Sequence, residues 1–486
     1  MTANRRATGI GGLDAILDGG FLEGQTALLR GPPGSGKTIV GLHFLAAGAG
    51  NGETALFVNL GEPDAYVRQT AEHFDLAPDE IRFHDLSPTQ EQFSAGERYT
   101  LFEAAEVDQP TVIADLRETI EAVDPDRVLL DPITEFRYLT ADDHQFRTQI
   151  LGFLQFLRER AATVVLTSQA ASTIPDDDLQ FLVDAVLTLD SPGDSRSVVV
   201  SKFRGSSFRR GPHGYEITGA GIEVWPRLEA GADPVAVDTR TLASGVPELD
   251  ELLGGGLAHG TVTFLSGPTG VGKTTTGLQF LKEAAARGDR SVLYQFEESR
   301  HTLLRRAESV NIPVQGMLED GDLSIVEVQP EAYTVDQFGQ LVRSAVLDEA
   351  VTVVMIDGVQ GFTQNLRGIE DDGSTDLVRI GRYLRSKGAS TIITNEVPNI
   401  TGEFRVTDEG TSNLADTILF IRHVEYRGEM RKVIGALKMR TGAFERTLRE
   451  LEITEYGIKV GEPLSHLRGV LTGTPEWEES IETDTT

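Results

Sequence analysis

Short apolar runs alternate with amphipathic segments along the chain, and the pattern occurs twice. The runs have the length of buried strands and span residues 26–29, 55–60, 127–130 and 163–167, then 261–265, 291–296, 351–356 and 390–394. Two segments with apolar residues at helical spacing, 39–47 and 275–286, follow the first run of each half. Strands that alternate with helices predict an α/β protein with mainly parallel sheets flanked by helices.

The two halves are copies of one module. Residues 8–38 and 244–274 align without a gap and are identical at 14 of 31 positions, and Lys273 lies 236 positions after Lys37. Such a period within 486 residues predicts two domains, each large enough for its own core. We place the boundaries, with a small-residue linker and an acidic, disordered tail, at 1–229, 230–238, 239–474 and 475–486. Residues 371–376 are predicted to form an exposed loop.

Each copy ends in a P-loop, GPPGSGKT or GPTGVGKT, placed between the first strand and the following helix. The glycines let backbone N–H groups turn toward phosphates, the Lys reaches the β- and γ-oxygens, and the Thr hydroxyl holds Mg²⁺. The predicted nucleotide-binding residues are Gly31, Pro32, Pro33, Gly34, Ser35, Gly36, Lys37 and Thr38, and Gly267, Pro268, Thr269, Gly270, Val271, Gly272, Lys273 and Thr274.

An aspartate ends the third apolar run of each module. Asp131 and Asp357 are candidate Walker B residues, which bind Mg²⁺ directly or through water. A buried structural Asp without a partner is costly, so metal binding is the favoured interpretation. The predicted metal ligands are therefore Thr38 with Asp131, and Thr274 with Asp357.

Glutamates follow the second apolar run of each module: Glu62 in the first, and Glu297 with Glu298 in the second. A carboxylate at this strand end can orient and deprotonate the water that attacks a γ-phosphate. Alternatively, the acids stabilise the next helix, which begins near Asp64 and Ser299.

A K-x-R pair closes each module, Lys202 with Arg204 and Lys438 with Arg440, again 236 positions apart. On a strand this spacing places both side chains on one side. Lysine is rare here, with eight in the chain, so the retained lysines favour a chemical role. An exposed strand lysine is the alternative.

Composition narrows the class of protein. The net charge is −31, which indicates a salt-rich cytoplasm or, alternatively, an acidic protein that binds basic partners. The scattered acids argue against nucleic acid as a partner. The absence of cysteine excludes disulfides, thiolate zinc sites and cysteine nucleophiles. With no signal peptide at residues 1–10 and no bilayer-length apolar run, we expect a cytoplasmic protein without membrane contact.

Together these residues resemble the KaiC family, the double-ring clock ATPases of the RecA-like superfamily. The resemblance covers nearly the entire chain and is most specific in the tandem P-loops and in residues 294–307 and 424–457. It implies tandem RecA-like P-loop NTPase domains, ATP and Mg²⁺ as cofactors, and a homo-hexamer with ATP between neighbouring subunits. It also implies that Lys202 and Arg204 reach the neighbour's first-domain ATP, and that Lys438 and Arg440 reach its second-domain ATP.

The family's catalytic acids are two consecutive glutamates, which Glu297 and Glu298 match. The first module has Gly61 before Glu62, so we expect slower hydrolysis there or dependence on a single carboxylate.

In the family the second domain also phosphorylates itself. Ser412 matches the phosphoserine position, Asn413 replaces the phosphothreonine, and Thr407 matches a secondary site. We expect one major phosphate, at Ser412; an unmodified polar loop is the alternative. The family's long C-terminal tail binds an activator, and we expect that docking segment to be absent after Pro475.

The leading prediction is therefore a Mg²⁺-dependent ATPase with Ser autokinase activity in the second domain, which serves as a signalling or timing scaffold for an unidentified protein partner. One alternative is a RecA- or RadA-like DNA-dependent ATPase, which the acidic composition disfavours. The other is a non-hydrolysing nucleotide-dependent adaptor.

Overall fold

The computed structural model describes residues 4–86, 109–140, 142–169, 176–191, 195–231, 239–368, 373–397, 413–426, 428–470 and 476–477. The chain folds into two compact units, Met1–Arg227 and Leu228–Thr486. Most of the predicted linker, residues 232–238, lies outside the described part. Within the described residues, no helix has the length and apolar character needed to cross a lipid bilayer.

A nine-stranded sheet forms the centre of the first unit. Its strands, β1 to β9, are Thr26–Gly31, Ala55–Asn59, Arg82–Asp85, Arg127–Asp131, Thr163–Gln169, Ala185–Asp190, Ser197–Phe203, Pro212–Thr218 and Gly221–Trp225. The order across the sheet is β9-β8-β7-β6-β1-β5-β4-β2-β3. Strands β1 to β6 are parallel, and β7 to β9 continue the sheet as antiparallel strands.

The second unit repeats this topology strand for strand. Its strands, β10 to β18, are Val262–Gly267, Ser291–Gln295, Leu323–Glu327, Val353–Asp357, Ser390–Glu396, Thr417–Tyr426, Glu429–Met439, Arg449–Thr454 and Gly457–Pro463. The order is β18-β17-β16-β15-β10-β14-β13-β11-β12, which is the first order shifted by nine. The predicted fold class, two tandem α/β domains with mainly parallel sheets, is confirmed.

Helices cover both faces of each sheet. Among the described residues of the first unit, the α-helices are Gly11–Ile16, Lys37–Ala49, Asp64–His73, Gln109–Val123, Asp143–Glu159 and Asp177–Leu182, with 3₁₀ helices at Pro78–Glu80 and Ile133–Leu139. In the second they are Pro247–Leu252, Lys273–Ala286, Arg300–Ser309, Val314–Glu319, Val335–Leu347, Val359–Asn365 and Ser374–Ser386. The part of the chain that the structure describes also contains four pairs of two-residue strands: Arg5–Arg6 with Phe21–Leu22, Thr241–Leu242 with Leu257–Ala258, Tyr333–Thr334 with Leu366–Arg367, and Leu467–Arg468 with Glu476–Trp477.

The central parallel strands are buried on both faces, which explains why they read as continuous apolar runs. Each sheet therefore separates two apolar clusters, one on either face. The sequence did not predict the short strands at the sheet ends, such as β3, because their side chains are partly exposed and their pattern is mixed. Of the predicted tail, only Glu476–Trp477 is described, and it forms a strand that the sequence interpretation did not include.

The predicted exposed loop at 371–376 is wrong for its second half. Residues 371–372 lie outside the described part, but Ser374 begins a helix, and Asp376 in its first turn is 2% exposed. The Asp376 carboxylate forms an ion pair with Arg379 at 2.8 Å, which offsets the cost of burying it. Loop-forming residues at a helix start misled the sequence interpretation here.

A buried histidine in the first domain predicts a pH-dependent stability. The Ile222 N–H donates to the His43 Nε2 at 3.1 Å, and burial lowers the His43 pKa. Neutral His43 therefore stabilises the fold fully above about pH 6.5, the unfolded value, and this stability is lost as the pH falls toward the folded pKa. We expect His43→Gln to reduce the fall in Tm between pH 7.5 and 5.5, measured by calorimetry.

The equivalent residue of the second domain, Gln279, shows that an amide fits this helix position. Replacement of the exposed His73 by Gln is the matched control and should leave the fall in Tm as it is in the unmodified protein. An equal fall in the His43→Gln variant would remove His43 as the cause.

Candidate nucleotide sites

Both P-loops join the central strand of a sheet to a long helix, as the sequence predicts. Gly36 and Gly272 precede the helices Lys37–Ala49 and Lys273–Ala286 with φ of 88° and 110°, a conformation that favours glycine. At Gly272 a Cβ would also lie 2.3 Å from the Ile453 Cδ1. Each P-loop therefore leads into a helix N-terminus, where backbone N–H groups that lack intrahelical partners can bind an anion.

The P-loop lysines are held by their own loops. The Lys37 Nζ donates to Gly31 O at 2.9 Å and Pro32 O at 3.0 Å, and the Lys273 Nζ donates to Gly267 O and Pro268 O at 2.9 Å each. Partial burial lowers the pKa of both ammonium groups. Phosphate oxygens can replace these carbonyls with little movement of the lysine.

The predicted metal ligands lie together in both domains. Thr38 Oγ1 donates to Asp131 Oδ2 at 2.5 Å, and Thr274 Oγ1 donates to both Asp357 carboxylate oxygens at 2.9 and 3.0 Å. One hydroxyl and one carboxylate next to a phosphate-binding loop form a donor set that fits Mg²⁺, which keeps several waters and binds phosphate oxygens. These residues therefore fit the metal that the P-loop motif implies.

A third residue orients each aspartate, and the sequence interpretation missed it. Thr167 donates to Asp131, and Thr394 donates to Asp357 Oδ1 at 2.7 Å. Both threonines are buried, and each directly follows three apolar or β-branched residues of its strand. A polar residue at the same place in two apolar runs was the available signal.

Glu297 lines a cavity of about 300 Å³ beside the second P-loop, together with Lys273, Asp357 and Glu396. Partial burial raises the pKa of this carboxyl, and the charges of Asp357 and Glu396 raise it further. Of the two consecutive acids, Glu297 is therefore the one that lines this cavity. A carboxyl with a raised pKa in such a cavity is a candidate general base.

Glu298, the second acid of the predicted pair, has a different partner. Its Oε1 lies 2.7 Å from Arg306 NH2, in the helix Arg300–Ser309. The preceding Ser299 caps that helix by accepting from Thr302 N. The helix-stabilising alternative thus describes the surroundings of Glu298 well, whereas Glu297 faces the cavity.

In the first domain Glu62 occupies the position of Glu298, and Gly61 that of Glu297. Glu62 is exposed, and its carbonyl oxygen accepts from the buried Asn59 side chain. The following helix begins at Asp64, as predicted. The acid that the first domain lacks is therefore the one that faces the nucleotide cavity in the second.

A basic residue near each P-loop was also missed. Arg196 NH1 donates to the P-loop carbonyl of Gly34 at 3.0 Å, and Lys432, 236 positions later, lines the second cavity with Ile453. The shared offset and charge were the available signal. Lys432 thus places a further cation in the second cavity.

Neither K-x-R pair lies near the P-loop of its own domain. Lys202 pairs with Val186, which pairs with Leu28, four residues before Pro32. Because strands rise about 3.3 Å per residue, Lys202 lies about 13 Å from the P-loop along the sheet. Arg204 lies farther away, since its N–H donates to Asp184 O, and Asp184 N–H donates to Thr26 O at the far end of β1.

The second pair has the same position. Lys438 pairs with Ile418, which pairs with Phe264, four residues before Pro268. Arg440 N donates to Asp416 O at 3.0 Å, at the far end of β10. Both pairs therefore lie near the amino-terminal end of the central strand, whereas the P-loop of the same domain follows its carboxyl-terminal end.

Hydrogen bonds to backbone carbonyls hold the K-x-R side chains at that end of the strands. Lys202 Nζ donates to Gln180 O at 2.6 Å and Val183 O at 2.7 Å, and Arg204 NH2 donates to Phe181 O. In the second domain Arg440 NH1 donates to Asn413 O at 3.3 Å. The predicted phosphorylation site Ser412, and the competing Thr407, lie outside the described residues.

Comparison with known proteins follows the same division into two modules. A sequence profile described as "ATPase: KaiC" matches residues 6–229 and 242–465. The chain is 27% identical over 494 residues to the circadian clock protein KaiC3 of Synechocystis sp., covering 98% of this chain and 95% of that relative. It is 27% identical to the circadian clock oscillator protein KaiC of Parasynechococcus marenigrum, with coverage of 98% and 94%, and 28% identical to that of Acaryochloris marina, with coverage of 96% and 90%.

Proposed function

Because the chain belongs to the KaiC family of ATPases, we propose that it is a Mg²⁺-dependent ATPase that works as a homo-hexamer of two stacked rings. Each nucleotide would lie between two copies of the chain, bound by the P-loop of one copy and by the K-x-R pair of the next. This proposal rests on the position of both pairs, which lie at the opposite end of the strands from the P-loop of their own domain.

The distance between each K-x-R pair and the P-loop of its own domain is the reason for proposing a second copy. Hydrolysis places negative charge on the γ-phosphoryl oxygens, and cations that approach from outside the P-loop stabilise that charge. An extended side chain of Lys438 or Arg440 does not span the sheet to reach its own P-loop. A neighbouring copy whose K-x-R end of the sheet faces this P-loop would bring its own Lys438 and Arg440 to the γ-phosphate.

The chain's own residues supply the remaining chemistry at the second site. Lys273 and the helix start bind the phosphates, and Thr394 holds the Asp357 carboxylate toward the Thr274 hydroxyl. Mg²⁺, when bound there with the nucleotide, neutralises phosphate charge. Glu297 accepts a proton from the attacking water, for which its raised pKa is suited.

An ATP-dependent change in mass tests the assembly. In Mg²⁺ and ATP at high salt, mass photometry or light scattering should give about six chains per particle, because nucleotide bound at an interface stabilises that interface. Lys37→Ala with Lys273→Ala should dissociate more readily, since neither site binds nucleotide well. A strict monomer of the unmodified protein under these conditions would exclude the ring and the role of K-x-R in a neighbouring site.

We also propose that the second domain phosphorylates Ser412 in the neighbouring copy. Asn413, the next residue, has its carbonyl oxygen bound by Arg440, and Leu414 O accepts from Arg385 NH2 at 2.6 Å. These bonds hold the chain after Ser412 beside the cation that would reach the neighbour's γ-phosphate. A serine hydroxyl needs a base to attack phosphate, and Glu297 of that neighbour would serve.

Intact-mass measurement after incubation with Mg-ATP tests the kinase role. We expect the unmodified protein to gain one phosphate, since Asn413 cannot accept one, and Ser412→Ala to gain much less. Thr407→Ala is the matched control and should still gain the phosphate. If the mass of the unmodified protein stays constant, or if Ser412→Ala is labelled equally, the protein is an ATPase without this activity.

Steady-state hydrolysis assays also distinguish the proposed function from the two alternatives, a recombinase-like DNA-dependent ATPase and a non-hydrolysing adaptor. Acceleration by single-stranded DNA at several salt concentrations would favour a recombinase-like ATPase. Nucleotide-dependent assembly without measurable turnover at either site would favour an adaptor. An unidentified protein partner remains part of the proposal.

A further inference from the structure

The side chain of Glu297 lies in space that Gly358 leaves open. A Cβ built on Gly358 would lie 2.5 Å from the Glu297 Oε1 and 2.7 Å from its Cγ and Cδ. Gly358 directly follows the Walker B residue Asp357, and its φ of 103° also favours glycine. The second site therefore accommodates its carboxylate because the neighbouring strand end carries no side chain.

In the first domain the glycine and the larger residue have changed places. The residue after Asp131 is Pro132, and the residue in the place of Glu297 is Gly61. A Cβ built on Gly61 would lie 3.0 Å from the Pro132 Cδ. Here the Walker B neighbour has a ring and the catalytic position has no side chain.

The backbones confirm that the same positions are compared. Leu60 N donates to Asp131 O at 2.9 Å, and Phe296 N donates to Asp357 O at 3.3 Å. The next residue on each side is the pair in question: Gly61 beside Pro132, and Glu297 beside Gly358. In both domains one of the two neighbours is a glycine, because the two side chains would compete for one volume.

We propose that Pro132 excludes a nucleotide-facing carboxylate from the first site and thereby sets its rate of ATP hydrolysis below that of the second. This inference rests on the proposed function, in which Glu297 is the base. The first site keeps its P-loop and its Thr38–Asp131 pair, so it binds nucleotide but turns it over slowly. The exchanged pair, Gly61 with Pro132 against Glu297 with Gly358, is the difference between the two sites on which this rate depends.

The pairing makes a specific prediction about double variants. Gly61→Glu alone places a carboxylate against the Pro132 ring, which pushes it away from the nucleotide. Pro132→Gly alone opens the space but adds no carboxylate. Both changes together recreate the arrangement of Glu297 with Gly358, so their effects on turnover should not be additive.

Steady-state ATPase kinetics of the full chain test this, with Lys273→Ala and Thr274→Ala present to silence the second site. We expect each single change to alter the first-site kcat by less than about threefold, and the double change to raise it about 10²-fold with a similar KM, as for a gained general base. If Gly61→Glu alone matches the double variant, or if the double variant binds ADP normally but gains nothing, Pro132 has no such role.

The converse change keeps the test decisive if the double variant binds no ADP. With the first site silenced by Lys37→Ala and Thr38→Ala, Gly358→Ala should lower the second-site kcat about 10-fold or more while ADP affinity is kept. It should have no further effect on kcat in a Glu297→Gln background, whereas general damage would lower the rate in both backgrounds. Additive effects would overturn the proposal.

The two proposals fail in different ways. If Glu297→Gln leaves second-site turnover unchanged, the base assigned in the proposed function is wrong. If Glu297→Gln abolishes turnover but the exchanged pair behaves additively, only the role of Pro132 is wrong.

Discussion

Glu297→Gln is expected to lower kcat at the second site by about 10²- to 10³-fold, with a change in KM for ATP of less than about threefold. Gln keeps the size of the side chain beside Gly358 but cannot accept a proton from water. The Lys273 ammonium donates to Gly267 O and Pro268 O rather than to Glu297, so we expect nucleotide affinity to be kept. Steady-state assays with the first site silenced by Lys37→Ala and Thr38→Ala measure the effect.

Glu298→Gln is the matched control because it changes the neighbouring carboxylate in the same way. Glu298 forms an ion pair with Arg306 and does not itself line the cavity that Glu297 lines, so we expect a fall of less than about 10-fold in kcat. The pH profile gives a second check: the acid limb, where the base becomes protonated, should disappear in Glu297→Gln only. A larger loss with Glu298→Gln than with Glu297→Gln would reverse the assignment of the two acids.

Mixing two chains that are each inactive at the second site is expected to restore hydrolysis there, measured with the first site silenced by Lys37→Ala and Thr38→Ala in both chains. Lys273→Ala removes the phosphate-binding lysine, and Arg440→Ala removes the cation for the neighbour's nucleotide; each alone should lower second-site kcat by about 10³-fold. In a random equal mixture, about a quarter of the interfaces combine an intact P-loop with an intact Arg440, so about a quarter of the activity should return.

The control for this mixture carries both changes in one chain. Lys273→Ala with Arg440→Ala, mixed with the Arg440→Ala chain, has no intact Arg440 at any interface and should stay inactive. Particle mass must match that of the unmodified protein in every sample, so that loss of assembly is not mistaken for loss of chemistry. An inactive first mixture at full assembly would mean that Arg440 does not act across the interface.

The internal duplication made the prediction of the fold unusually direct. The predicted strand at 26–29 is the core of Thr26–Gly31, and the predicted helix at 275–286 lies within Lys273–Ala286. These elements bury both faces or one clear face, so burial alone determines their pattern. Prediction was poorer at Ser374–Asp376, where residues typical of loops begin a helix and a buried carboxylate is paired with an arginine.

The sequence by itself determined the two α/β domains, both P-loops and the Thr and Asp of each predicted metal site. It did so because glycine spacing, apolar runs and a repeat of 236 residues are local or periodic features of the chain. Which of Glu297 and Glu298 lines the cavity beside the second P-loop was decided only by the tertiary structure, through the space beside Gly358 and the ion pair between Glu298 and Arg306. The tertiary structure also decided that the K-x-R pairs lie at the opposite strand ends from their own P-loops, and that residues 61 and 132 compete for space. Both results depend on strands that are distant in sequence but adjacent in the sheet.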